Sequence, residues 1–387
     1  MGKIEIDHTG AGAGITLSSD GTSLLLDGTA VGGGGGGGTA LVLYAENPSS
    51  PTAPSATGAN AVAIGESVTS SGTNSFAAGS FTTALGDNSV AISGSVSGLY
   101  PSSAQGVGSI VVGNNASSST LATSSLALGS QAVTAGTRAT ALTKSYASGT
   151  DSFAAAITNN TSSYGTTGTG SVAIGDRNKG AGNYSVSMGR LNNVSGPNGA
   201  VGLGQSNTVS AEGAFAVGST NIASGSYSQA FGRGANTASI YGKLAKANGF
   251  FSNYADAQFG IFVLRSDTTD ATPEALTTNK STAGTTNQVI LPNNSAYAFH
   301  GTIVARQQAS TGTACAAWKI EGLIRREGSA GTTVLVNSAT TVLDNTPAWG
   351  MALSADTTNG GLKIEATGAA ATNIRWVATI NTSEVTY

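Results

Sequence analysis

From Asn60 to Gly260 the chain repeats a short block in which apolar residues alternate with small ones and a glycine or serine closes the run. The blocks read AVAIG (61–65), SFAAG (75–79), SVAIS (89–93), SIVVG (109–113), SLALG (125–129), SFAAA (152–156), SVAIG (171–175), SVSMG (185–189), AVGLG (200–204), AFAVG (214–218) and SQAFG (228–232), with ADAQFG ending at Gly260. Most ends are separated by fourteen or fifteen positions, as Gly65 is from Gly79 and Gly189 from Gly204. The longer steps across 94–109 and 143–170 predict loops inserted into a regular coil. The alternation has a period of two, which predicts strands. Val62 and Ile64 then point one way, Ala61 and Ala63 the other. A helix is excluded by the Gly, Ser, Thr and Asn that fill the remainder of each unit. Repeat turns are expected at Gly65, Gly79, Gly129, Gly175, Gly189, Gly204, Gly218 and Gly232, because glycine enters φ > 0 without a steric cost.

A unit of this length has room for two short strands and two bends. Stacked units form parallel ladders about 4.8 Å apart, so fourteen turns predict a rod of roughly 65 Å. The larger residues are expected inside each coil: Val62, Ile64, Val90, Ile92, Val172, Ile174, Phe215 and Val217. Alanines on the other face are then free to meet between chains.

The flanks differ from the rod. Residues 1–31 predict a small module of three strands, KIEID, ITLSS and SLLLD. Residues 32–59 form a linker that opens with seven glycines and passes into a Pro/Ser-rich stretch. Residues 261–387 contain about eight longer alternating runs, which predict an antiparallel β-sandwich of jelly-roll type, a knob. The fold class expected is therefore all-β: a parallel roll carrying an antiparallel knob. The last residues lie inside a predicted strand, from which no membrane anchor is expected.

The units NAVAIGES (60–67), NSVAIS (88–93) and GSVAIGDRN (170–178) resemble the repeat of YadA-like heads, found in trimeric autotransporter adhesins and bacteriophage fibres. The resemblance extends from Asn60 to Gly260. It implies a trimeric left-handed parallel β-roll with Val and Ile inside each roll. The opening segment, 1–31, resembles the N-terminal segment of structural proteins of marine tailed phages, which implies docking to other virion proteins.

Composition narrows the functional classes. Charged residues make up only 10%, and 17 basic against 20 acidic residues leave a net charge of −3. No basic surface for nucleic acid is expected. No apolar run is long enough for a transmembrane helix, and no signal peptide stands at the N-terminus. A single cysteine, Cys315, excludes an intrachain disulfide and is expected to be a small buried residue. With only His8 and His300, Cys–His catalysis and histidine-rich metal sites are not expected. His300 is a candidate for an axial ion shared by three chains.

Hydrolysis of polysaccharide needs two carboxylates a few ångströms apart. Glu66, Asp87, Asp151, Asp176 and Glu212 are isolated in the rod, although Asp151 and Asp176 could meet on neighbouring turns. Asp356 with Glu365, and Glu321 with Glu327, are the knob's candidates. None makes a convincing pair, so no catalytic residue, metal or cofactor is expected. Trp318 and Trp376 sit in strand-like patterns and are expected in the core. Trp349, after Pro347 in DNTPAWG, is the exposed candidate for a sugar, with Tyr297 and Tyr387 behind it. Arg325 and Arg326 could pair with acidic sugars. The function expected is a homotrimeric virion fibre whose knob binds a glycan or protein of the host surface, on the tail or the capsid. A bacterial trimeric adhesin and a polysaccharide-degrading spike are the alternatives.

Overall fold

The computed structural model describes strands at 4–6, 15–19, 24–26 and 29–30, and residues 52–94, 101–158, 161–308, 314–345 and 347–387. The first four strands form an antiparallel sheet in chain order, Ile4–Ile6 against Ile15–Ser19, Leu24–Leu26 and Thr29–Ala30. Where three strands are expected, the chain folds four. The seven-glycine tract and His8 lie outside the described residues.

The repeats build a parallel β-solenoid. Each turn contributes one strand to a broad ladder that starts at Val62–Glu66 and ends at Leu244–Asn248. A second strand enters a 12-stranded narrow ladder running from Ser55–Ala56 to Ile222–Ala223. Register follows the repeat: Val62 pairs with Phe76 and Phe76 with Val90, one unit at each step. The insertions sit where the step lengthens, at Val90↔Ile110 and Phe153↔Val172. The repeat glycines Gly65, Gly79, Gly129, Gly175, Gly189, Gly204, Gly218 and Gly232 lie at φ between +89° and +120°. A Cβ at Gly65 would collide with the carbonyl oxygen of Gly79 in the next turn, so backbone stacks directly on backbone there.

One expectation is inverted. Ala63, Ala77, Ala91, Ala127, Ala141, Ala154, Ala173 and Ala216 are buried inside the roll. Val62 is 44% exposed and Ile92 41%, while Ile64, Val90, Val172, Ile174, Phe215 and Val217 are half-buried on the outer surface. The physical reason is width. Short side chains already span it: Ser70 Oγ of the narrow ladder lies 2.7 Å from Ser75 Oγ beside the broad one, and Thr134 Oγ1 2.9 Å from Ser125 Oγ. An interior this narrow takes Ala, Ser, Thr and Asn, and expels branched aliphatics.

Toward its C-terminal end the interior becomes polar and ordered. Asn178, Asn192, Asn207 and Asn221 stack in one buried column. Asn192 donates from its backbone N–H and from Nδ2 to Asn178 Oδ1, both at 3.0 Å, and Asn207 repeats the pattern on Asn192. The same Nδ2 groups donate to backbone carbonyls; that of Asn192 reaches Met188 and Gly204. Burying an amide is favourable only when its polar atoms are matched in this way.

After Asn248 the chain reverses. Ala257–Thr268 runs antiparallel to Leu244–Asn248, so the segment ending at Gly260 opens the knob instead of closing a last coil. Ala257–Thr268, Ile374–Thr386, Ser295–Gln307, Cys315–Arg326 and Val334–Asp344 follow in that spatial order as one long antiparallel sheet. A smaller sheet is centred on Gly361–Thr367. It pairs with Gly350–Asp356 on one side and with Pro273–Ala275 and Val289–Ile290 on the other. Phe262, Leu264, Ile303, Ile320 and Trp376 of the long sheet share one apolar core with Val289, Leu362 and Ile364 of the small one. Among the described residues no helix is long and apolar enough to cross a membrane.

Candidate functional site

The alternation of each broad-ladder strand places its larger residues outside, in two columns held in register. One runs through Val62, Phe76, Val90, Ile110 and Leu126; the other through Ile64, Ala78, Ile92, Val112 and Leu128. Both continue through Val172/Ile174 and Phe215/Val217 to Leu244/Lys246, which pair with Ile261 and Phe259 of the knob. Isolated surface apolar residues are ordinary. The two columns are mostly apolar along the solenoid, broken by Thr140 and Gln229 and ending on Lys246, and an extended apolar stripe of this kind is a candidate surface for contact with another protein.

The side chains expected to bind a receptor fall elsewhere. Trp349 is 5% exposed, not a surface platform. The Asn345 side chain clamps its turn, accepting from Trp349 N at 2.9 Å and donating to Trp349 O at 2.7 Å. Its ring packs 5.9 Å from that of Trp376, which stacks on Trp318 at 5.6 Å and donates from Nε1 to Thr268 Oγ1. The three tryptophans thus form one cluster in the core. Tyr297 is also buried, not exposed. Burial first, and the neighbouring Glu384 carboxylate second, raise its phenol well above the usual range. Arg325 is exposed and pairs with Glu327. Arg326 is half-buried and donates from Nη1 to Leu291 O at 2.7 Å, tying the long sheet to the loop before Ser295–Gln307. Tyr387 is exposed. Cys315 is exposed rather than buried, because it falls on the outward side at the start of its strand. His300 faces outward from the long sheet, between Glu321 and Asn381.

The carboxylates of the rod do not meet. Asp151 receives a two-pronged hydrogen bond from Arg138 at 2.5 and 2.7 Å, which lowers its pKa. Asp176 accepts from Thr158, Arg177 and Arg190, and the Thr158 hydroxyl contributes most to lowering its pKa. Glu321 pairs with Lys319.

Asp356 and Glu365 do border one cavity, of about 540 Å³, on the small-sheet side of the knob. The turn after Gly350–Asp356 places Asp356, and Glu365 sits opposite Ala352 on one neighbour and Ala275 on the other. Asp356 is not a free acid. It accepts from Thr358 N, Asn359 N, Asn359 Nδ2 and Gln288 Nε2 at 2.7–3.1 Å. Burial pushes its pKa up, but these four donors outweigh it and hold the carboxyl below its ordinary value. Glu365 pairs with Lys363 at 3.0 Å, and Lys280, also on the wall, pairs with Asp267 at 2.5 Å. A carboxylate saturated by donors cannot serve as a general acid near neutral pH. Among the described residues no group of three or more His, Cys, Asp or Glu is arranged to hold a metal ion.

Residue patterns do not reveal the joint between roll and knob. Lys243 occupies the interior column that serine or alanine fills in earlier turns. Its Nζ lies 2.8 Å from Glu384 Oε2, both side chains being wholly buried. Gln258 Nε2 donates to the same oxygen, and Thr382 Oγ1 to Oε1. The ammonium also faces the rings of Phe262 and Tyr297.

These elements define a parallel β-solenoid that completes one turn per repeat unit, followed by an antiparallel sheet region. The YadA head domain repeat matches the chain at residues 70–92, 122–142 and 167–192, all within the solenoid. No curated protein matches the chain. Among solved structures, the chain is similar to a tailspike protein of Acinetobacter baumannii bacteriophage Fri1, a capsular polysaccharide depolymerase. Identity is 9% and the TM-score 0.21, over 84% of this chain and 70% of that one. It is similar also to the tailspike protein of Acinetobacter baumannii phage AM24, at 12% identity and a TM-score of 0.17, over 85% of this chain and 56% of that one.

Proposed function

We propose that this chain is the subunit of a homotrimeric bacteriophage fibre, in which residues 1–31 dock to other virion proteins, the solenoid projects and the knob attaches to the host surface. The observation that carries this reading is the outward apolar stripe. A solitary rod would leave branched aliphatics in water over its full length. Three rods packed around an axis bury them, each half-buried Val or Ile contributing about 1 kcal/mol. The match to YadA head repeats supports the same arrangement. The resemblance of the opening segment to phage structural proteins supports the docking of residues 1–31.

In this reading attachment needs no catalytic step and no cofactor. Asp356 shapes a turn, Glu365 is ion-paired, Asp151 is held by Arg138, and Asp176 by Thr158 and two arginines. Several weak knob sites per particle raise avidity without new contacts. Equilibrium sedimentation at micromolar concentration tests the assembly, and the expected mass is three chains. Competition tests the role: purified protein should slow adsorption of the particle that carries it. A monomer at micromolar concentration, or adsorption indifferent to excess protein, would end this reading. Labelling the chain on intact particles distinguishes a tail fibre from a capsid fibre, and either from a bacterial adhesin.

A further inference from the structure

The cavity on the small-sheet side has features that attachment alone does not require. Its volume, about 540 Å³, lies within the range of ligand sites. Glu274, Lys363 and Glu365 stand on its strands, which hold side chains more rigidly than loops do, and residues 280–283 and 358–359 close it from turns. Its lining is mostly polar and contains no aromatic ring, so a ligand there is held by hydrogen bonds and not by stacking.

The charges on this wall are arranged unevenly. Both ammonium groups are already matched, Lys280 by Asp267 and Lys363 by Glu365. Asp356 is saturated by its four donors. Glu274, on the short strand Pro273–Ala275, is exposed and has no ion pair among the described residues. Among the lining residues Glu274, Asp356 and Glu365 stand against Lys280 and Lys363, three carboxylates to two cations, and Lys280 is already neutralised by Asp267 beside the groove. An anionic ligand therefore meets repulsion and finds no spare cation. Glu274 and the second oxygen of Glu365 remain as acceptors, and carboxylate oxygens accept well from neighbouring hydroxyls.

We propose that this groove is a binding subsite for a neutral, hydroxyl-rich oligosaccharide, with Glu274 and Glu365 accepting from sugar hydroxyls and Lys280 and Lys363 donating to sugar oxygens. The inference rests on the host-attachment reading and names the class of receptor. The excess of carboxylates selects against uronic and sialic acids.

The full-length protein is tested on an array of neutral gluco-, manno- and galacto-oligosaccharides set beside oligogalacturonates. Retention on a neutral class is expected, falling at least tenfold in the double variant Glu274→Ala/Glu365→Gln. The single variant Glu274→Lys, at an exposed position that leaves folding intact, is expected to gain binding to galacturonates. Three results overturn the proposal: a wild-type preference for galacturonates, neutral-sugar binding unchanged in the double variant, or no retention of any sugar by trimeric protein that still competes for adsorption. The last leaves host attachment standing and removes only the sugar, whereas a monomer would sink the earlier reading itself.

Discussion

The two outer faces of the solenoid are built by the same chain at the same repeat, yet they differ in kind. The broad ladder turns Val62, Ile92, Ile110 and Leu128 outward. The narrow ladder turns out Thr69, Thr83, Ser103, Ser117, Asn193 and Thr208, broken by a few larger residues such as Val133 and Ile222. Behind both lies one interior of alanine, serine, threonine and asparagine. The interior specifies the coil and is too narrow to supply much apolar burial. In the proposed trimer, cohesion beyond the single coil comes from the apolar face, and the other is left to meet water.

The interior on which both faces depend is the most sensitive place to probe this division. Ala127→Leu puts three extra heavy atoms into a site with no exposure, and the protein is expected to lose about 3 kcal/mol or more, or to fail to fold, as read by thermal unfolding. Asn192→Ala removes the Nδ2 donor to Asn178 Oδ1 and to two carbonyls, and the Oδ1 that accepts from Asn207 N–H and Nδ2, while the backbone N–H still serves Asn178 Oδ1. About 2–3 kcal/mol should be lost, seen as a lower denaturant midpoint. On the apolar face, Ile174→Asp should weaken assembly at least tenfold in sedimentation while the circular dichroism of the isolated chain stays unchanged. Assembly that survives this change would remove the contrast between the faces.

Acid gives a smaller effect. Burial raises the pKa of Asp256, but backbone N–H donors from Asn253, Ser252 and Phe251 outweigh it and leave it lowered, as Asp356's own donors do there. A carboxyl depressed in the native state stabilises above its unfolded pKa of about 3.9. That stability should be complete at pH 5 and fade as pH falls through the lower native values, measured as the unfolding midpoint between pH 5 and 2. Smallest of all, Thr83→Lys on the polar face should change stability by less than about 0.5 kcal/mol and leave the sedimenting mass unaltered.

The period of the coil, the turn glycines and the change to long antiparallel strands after the repeats can all be read from residue order. Which side of each strand faces inward cannot. Alternation defines two faces without a sign, and the usual rule that larger apolar residues go inside fails where two facing ladders lie so close that serine and threonine side chains already bridge them. Trp349 misleads for a different reason. Its Pro-containing turn looks exposed, and only the Asn345 clamp, a contact of particular geometry, swings the ring into the core. The asparagine ladder is within reach of the sequence, since Asn178, Asn192, Asn207 and Asn221 recur at the spacing of the repeat itself. The groove is half legible: Asp356 and Glu365 are close in sequence, but Glu274 joins them only through strand register.

Lys243 and Glu384 make the stem a modular part. The knob grips the last turns of the coil, through this buried pair, the pairing of Leu244 and Lys246 with Ile261 and Phe259 and the Asn236–Gln258 hydrogen bonds, and every earlier turn presents the next with the same pair of ladders. Whole turns can be gained or lost upstream of that grip, changing the length of the rod in increments of about 4.8 Å while the knob keeps its shape.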